Sequence, residues 1–255
     1  MQLSLFSVAE SEPPLIEVHR RLLVASGGFS HSPRLGPVDQ LIKSMISSRT
    51  YDEVSWPAYR WLKDVFHPWE RLAEATPTEI EAAIAQVTHA EIKAGWLPEA
   101  LTRIIALKGA LSLDFLATAP VEEAMVWLQR NLPGVGDKVA ASVLNFSTLR
   151  RRMMVVDTHV WRVARRIGLA GRNADPEGVR RAIMDAAPLS WTADDFFDLH
   201  WLLKRLGQHL CLHSQTRCGG CPVAAVCIER QRALDLAKRR GAVPPTPFGR
   251  PGNKE

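Results

Sequence analysis

Leu132-Pro133-Gly134-Val135-Gly136-Asp137-Lys138 interrupts two stretches of helical periodicity, residues 121–131 before it and 137–149 after it. Pro133 cannot donate a backbone hydrogen bond and ends the first helix. Gly134 and Gly136 permit positive φ, and they leave no Cβ to obstruct the close approach of another backbone. The second helix starts there, so its first N–H groups point outward at the positive end of the helix macrodipole. That combination is an anion site suited to a DNA phosphate. An ordinary tight helix–helix turn is the alternative, and a lone G-x-G supports it equally well.

The 3.6-residue spacing of apolar side chains recurs over residues 15–25, 38–47, 56–66, 77–87, 92–107, 158–167, 176–186 and 193–212, and no segment alternates convincingly as a strand. The expected fold class is therefore all-α. Ser55 before Trp56-Pro57 has the form of an N-cap and first turn. Thr76-Pro77-Thr78-Glu79 has the form of a capping box, and Thr192 with Asp195 imitates one with a shorter acid. Gly27-Gly28 breaks the pattern after the first helix.

All four cysteines, Cys211, Cys218, Cys221 and Cys227, lie within seventeen positions, spaced C-x6-C-x2-C-x5-C. Thiolates so close in sequence can converge on one centre, and soft sulfur ligands select iron–sulfur clusters or zinc. Structural zinc sites usually take two short pairs, whereas here one pair is flanked by singletons, a spacing that suits a cubane better. Two disulfides are the third alternative. The N-terminus, MQLSLFSVAESEPP, has no basic segment before its apolar residues, so no signal peptide is expected and the compartment is expected to be reducing and cytoplasmic.

The chain has 255 residues, 46% of them hydrophobic, enough for one large or two small domains with real cores. No apolar run approaches the length of a bilayer span, so no membrane partner is expected. The net charge of +5 favours a polyanionic partner. After Cys227 the composition turns basic and rich in Pro and Gly, with Lys238-Arg239-Arg240-Gly241 leading into Val243-Pro244-Pro245-Thr246-Pro247, and residues 229–255 are expected to be a disordered tail.

About twenty residues past the hairpin, Val155-Val156-Asp157-Thr158-His159 places an acid at the start of another helix, where it has the form of an N-cap. Three stretches, LPGVGDK at 132–138, VVDTHVWRV at 155–163 and HWLLKRLGQHLC at 200–211 leading into the cysteines, together resemble the helix-hairpin-helix DNA glycosylases of the endonuclease III branch. The resemblance covers residues 36–228. It implies a [4Fe–4S] cluster on the four cysteines and two helical domains flanking a DNA-binding cleft. One would be a six-helix barrel, residues 36–148, and the other would combine residues 1–35 and 149–228 around the cluster. The implied partner is double-stranded DNA carrying a damaged, mispaired or abasic nucleotide, which a monomer would flip out of the duplex. Leu132, Gly134, Val135 and Gly136 would hold the phosphate backbone, and Arg217 in the loop between Cys211 and Cys218 would contact phosphate.

The same resemblance puts Lys138 on the catalytic lysine and Asp157 on the catalytic aspartate. A neutral primary amine can attack the sugar C1′, expel the base and cut the strand by β-elimination, while a carboxylate stabilises positive charge at the sugar. At two places the chain departs from its relatives. Arg49 stands where a glutamine is usual, and Thr88 and His89 replace a glycine and an apolar wedge. Arg49 could enter the vacated stack or bind phosphate, and His89 could wedge by stacking or lie on the surface. The expected substrates are damaged or mispaired pyrimidines. A mismatch glycosylase without lyase activity and a retired iron–sulfur DNA-binding protein are the alternatives.

Overall fold

Helix α2, Pro37–Ser47, has every residue from Gln40 to Ile46 buried. Such a helix belongs at the centre of a bundle, and α2 packs against α3, Asp52–Phe66, α6, Ala90–Lys108, and α8, Asp137–Phe146. The computed structural model describes residues 14–28 and 33–239. Among them every regular element is a helix, adding α1, Pro14–Ser26; α4, Glu70–Glu74; α5, Pro77–Ala83; α7, Val121–Asn131; α9, Thr158–Ile167; α10, Pro176–Ala186; α11, Ala193–His209; and α12, Ile228–Arg239. The all-α expectation holds. No helix among the described residues is long and apolar enough to cross a membrane.

The chain divides into two units. The larger comprises His31–Val155 with Ser190–Asp198, and the second Met1–Ser30, Val156–Leu189 and Leu199–Glu255. The core of the larger unit runs through Leu41, Ile42, Ile46, Leu62, Leu72, Ile80, Leu97, Ile104, Leu128, Val143 and Leu144. Ser190–Asp198 joins it because Asn145 Nδ2 donates to the Ala193 carbonyl (2.9 Å), Arg152 Nε donates to the Trp191 carbonyl (3.1 Å), and Phe146 meets Phe197 edge-on. In the second unit, Val160, Val163, Ala164 and Ile167 form the buried stripe of α9, and Val18, Leu22, Ile183, Leu203 and Leu206 are buried as well.

Several local expectations meet a different outcome. Ser55 is not a cap: α3 begins at Asp52, whose charge and that of Glu53 suit the positive helix end, and Ser55 heads the buried stripe Ser55, Ala58, Tyr59, Leu62, Phe66. The Thr76–Glu79 capping box forms as read, but α5 stops at Ala83, and α6 begins only after His89 has turned left-handed. Thr192 and Asp195 make one half of their box, the Thr192 N–H donating to Asp195 Oδ2 (2.7 Å), while the Thr192 hydroxyl takes the N–H of Asp194 (3.2 Å) in place of that of Asp195. Residues 229–239, expected as disordered tail, lie in α12. Ile228 at its start sits over Gly168, where an added Cβ would lie 2.8 Å from Ile228 Cγ1, so this contact anchors the helix to the end of α9. The rest of that expectation, residues 240–255, lies outside the described residues.

Candidate functional site

In the larger unit the hairpin is a close-packed turn. The Leu132 N–H closes α7 on Leu128, and the Val135 N–H donates to Leu132 (3.3 Å). Gly134 adopts φ 72°, and an added Cβ would lie 2.8 Å from Cδ2 of Trp96 on α6, so both conformation and space demand glycine. Gly136 makes no use of the positive φ that glycine permits. It is extended, with φ −93° and ψ −174°, and serves as the N-cap of α8. Having no side chain, it leaves that helix start without a side-chain cap, and the space where a Cβ would stand is open. Leu132 and Val135 point their side chains into the core, so only their backbones can meet a ligand. Lys138 is the second residue of α8 and is half-buried.

Two loops of the same unit carry the departures noted in the sequence. Arg49 and His89 are both exposed, and both adopt φ 58°, a left-handed conformation uncommon outside glycine. The Thr88 N–H donates to Thr50 Oγ1 (3.2 Å), joining the loops, and His89 Nδ1 lies 3.8 Å from Glu91 Oε1. Lys93 on α6 stands behind them, 3% exposed. Its Nζ donates to the carbonyls of Ile46 (2.8 Å) and Ser48 (2.6 Å) and to Thr50 Oγ1 (3.3 Å). Burial, and secondarily the positive charge of Lys138, push its pKa down to about 8 against the pull of Glu91. Lys43 on α2 is a second buried ammonium, donating to Ser47 and Ser55 and lying 4.3 Å from the Trp56 ring centroid. Neither lysine was singled out from the sequence. The available signal was a lysine on an apolar stripe: Lys93 falls in register with Ala90, Leu97, Ala100 and Ile104.

In the second unit Asp157 caps α9, its Oδ1 accepting the Val160 N–H (2.8 Å). The next turns of that helix serve the cysteines. Arg162 Nε donates to the Cys211 carbonyl (3.1 Å) and Nη2 to the Gly207 carbonyl (2.8 Å). Gly207 is required there, because an added Cβ would lie 2.9 Å from His159 Cβ. Arg166 Nη1 reaches Cys211 Sγ (3.4 Å), and the same guanidinium holds the carbonyls of Leu212 (2.6 Å) and His213 (2.9 Å). Arg217 is exposed, with its N–H on the Leu210 carbonyl (2.9 Å).

All four cysteines are free thiols, each half-buried. Burial pushes the Cys221 and Cys227 thiols up, and the other sulfurs of the set add to the effect, so the sulfurs share one neighbourhood. Opposing this, backbone groups at Val223 hydrogen-bond to Cys221, and those at Arg230 and Glu229 to Cys227. Hydrogen-bond donors aimed at sulfur, together with Arg166, are what thiolate ligands need, and in that respect the residues fit a cluster. Among the described residues, no three His, Cys, Asp or Glu side chains are gathered tightly enough to hold a metal ion.

Residues 42–188 match the family model of the HhH-GPD superfamily base excision DNA repair proteins. The chain belongs to this superfamily. Its relatives include endonuclease III of Rickettsia conorii, 36% identical over 125 residues (49% of this chain, 55% of that one), and an endonuclease III homolog of Encephalitozoon cuniculi, 27% identical over 195 residues (73% and 76%). The chain spans about half the length of several relatives it matches. In structure this HhH-GPD protein resembles endonuclease III in a trapped covalent intermediate with DNA, with a TM-score of 0.71 at 19% identity over 88% of this chain and 99% of that one. The fold is thus that of endonuclease III. The matched span includes the hairpin, Lys138 and Asp157, and stops before Cys211.

Proposed function

We propose that this protein is a DNA glycosylase with abasic-site lyase activity, acting on a damaged or mispaired pyrimidine in duplex DNA. The observation that carries the reading is Lys138, a primary amine on the second residue of α8, directly behind a glycine helix start open to phosphate. Endonuclease III, which this chain resembles, has been trapped as a covalent intermediate with DNA, and an amine nucleophile accounts for such chemistry.

The hairpin backbone binds phosphate and fixes the register of the duplex, while the target nucleotide leaves the stack. Lys138 Nζ, neutral at the moment of attack, bonds to C1′ as the bond from C1′ to the base breaks, and the base departs with that electron pair. Loss of the amine proton and opening of the sugar ring give a Schiff base. Removal of a C2′ proton then expels the 3′ phosphate, and water returns the amine. Asp157 supplies the carboxylate that stabilises positive charge at the sugar and accepts or returns protons. Cys211, Cys218, Cys221 and Cys227 would hold a [4Fe–4S] cluster, which supplies structural support for the segment carrying Arg217.

Borohydride should trap the wild-type protein covalently on a duplex containing an abasic site. Lys138→Ala should not be trapped and should lose strand cleavage by about three orders of magnitude or more, as loss of a nucleophile does, while retaining most of its DNA affinity. Equal trapping of both proteins would move the nucleophile elsewhere. For the cluster, purified protein should be yellow-brown from thiolate-bound iron, and Cys218→Ser should be colourless or insoluble. Stoichiometric zinc in a colourless, active preparation would remove the cluster from the proposal.

A further inference from the structure

The reaction above leaves Lys93 unused, although it is a nearly fully buried cation at the base of α6. An ammonium has three donors, and all three of its acceptors belong to the end of α2 and the loop beyond it: Ile46, Ser48 and Thr50. Thr50 Oγ1 is shared, accepting the Thr88 N–H as well. One buried charge therefore ties together two loops, and each loop holds one non-glycine residue left-handed, Arg49 and His89. Conformations of that kind carry strain and persist only where the surroundings over-determine them. A helix end alone does not call for this arrangement, because water or a single donor satisfies the last carbonyls of a helix. Burying a charge is also a poor way to gain stability compared with an apolar side chain of similar volume. The cost of the buried charge is visible in Lys93 itself, whose pKa falls to about 8.

We infer that Lys93 is a positioning residue: it locks the Arg49 and His89 loops into one rim, fixing the side chains that meet the duplex when a base is extruded and hence which base pair is opened. The inference rests on the proposed glycosylase reading and names its specificity device. Lys93 does not touch the reacting atoms. Its role should appear only where a base must still be displaced, and should be weak where the base is already gone.

The test uses Lys93→Met, which keeps volume and removes the charge, on two duplexes. One carries the best-excised base from a set of uracil opposite guanine, thymine opposite guanine and thymine glycol. The other carries a pre-formed abasic site. Single-turnover base excision should fall by about tenfold to a hundredfold, as a misplacement of about 1 Å does, while abasic-site incision stays within about threefold, the scatter of independent substitutions. Adding Arg49→Ala to Lys93→Met should cost little more than either change alone, because both act on one rim. Lys93→Arg, which keeps a cation and its donors, should recover part of the loss. If Lys93→Met does not fold, Thr50→Val removes the shared hydroxyl with little change of shape, and it should reproduce the same selective loss. Equal losses on the two duplexes, full additivity with Arg49→Ala, or wild-type rates in both Lys93→Met and Thr50→Val would overturn the inference. An inactive wild-type protein on both duplexes would instead overturn the glycosylase reading beneath it.

Discussion

Helices α8 and α9 start in opposite ways. Gly136 opens α8 with no side chain, so nothing on the cap residue competes for the first-turn N–H groups. Asp157 opens α9 with a carboxylate that accepts the Val160 N–H at 2.8 Å. Both starts are extended at the cap residue, with ψ −174° and −177°. The backbone is the same and the chemistry differs: one cap residue offers no acceptor, and the other fills its helix end with a carboxylate. A helix macrodipole can thus serve as a binding site or be spent on holding a carboxylate in place, and the identity of one residue decides which.

That contrast can be broken from either side. The largest effect is expected at Asp157. Asp157→Asn keeps a competent cap, so the melting temperature should change little, while base excision falls by about two orders of magnitude from loss of a positioned charge. An active, stable Asp157→Asn would reduce the residue to a cap. The converse change is Gly136→Asp, which gives α8 the cap that α9 already has. DNA affinity should drop by about tenfold at low salt, because the new carboxylate occupies the anion site and repels phosphate. Unchanged affinity would mean that the hairpin does not meet DNA. The smallest effect is on the folding of the same variant. A carboxylate cap on an open helix start should leave stability within about 1 kcal/mol of the parent, on the favourable side, measured by urea unfolding. A clear loss would show that the open start is needed by the fold rather than by a ligand.

Much of this was legible because its causes are local. The Thr76–Glu79 box spans three residues, and both partners are named by the helix-start pattern. Asp157 was readable as a cap for the same reason, and Gly134 because a tight turn between helices needs positive φ. The failures mark where local rules compete. Ser55 looked like a cap because serine precedes Trp56-Pro57, but burial of the Ser55, Ala58, Tyr59 and Leu62 stripe extended α3 back to Asp52 and put Pro57 inside it. Both hairpin glycines permit positive φ, and only Gly134 uses it; Gly136 is extended, since a cap residue entering a helix needs β-region backbone, which any residue supplies. Residues 229–239 read as tail because their composition is polar and basic, and the packing of Ile228 over Gly168 at the end of α9 is invisible in that composition.

The sequence by itself determined the helical class, the hairpin with Lys138 behind it, Asp157 as a helix cap, and a set of four cysteines within one short segment. Each follows from residues within a turn or two of one another. Only the tertiary structure decided that Trp96 closes over Gly134, that Ser190–Asp198 belongs with the larger unit, and that the loops carrying Arg49 and His89 are joined through Thr50 and Thr88. The acceptors of Lys93 lie 47, 45 and 43 residues away along the chain, and no periodicity reports a partner at that distance. A buried ammonium takes its donors to whatever carbonyls the packing of α6 against α2 brings within reach, and that is settled by the core rather than by neighbours in sequence.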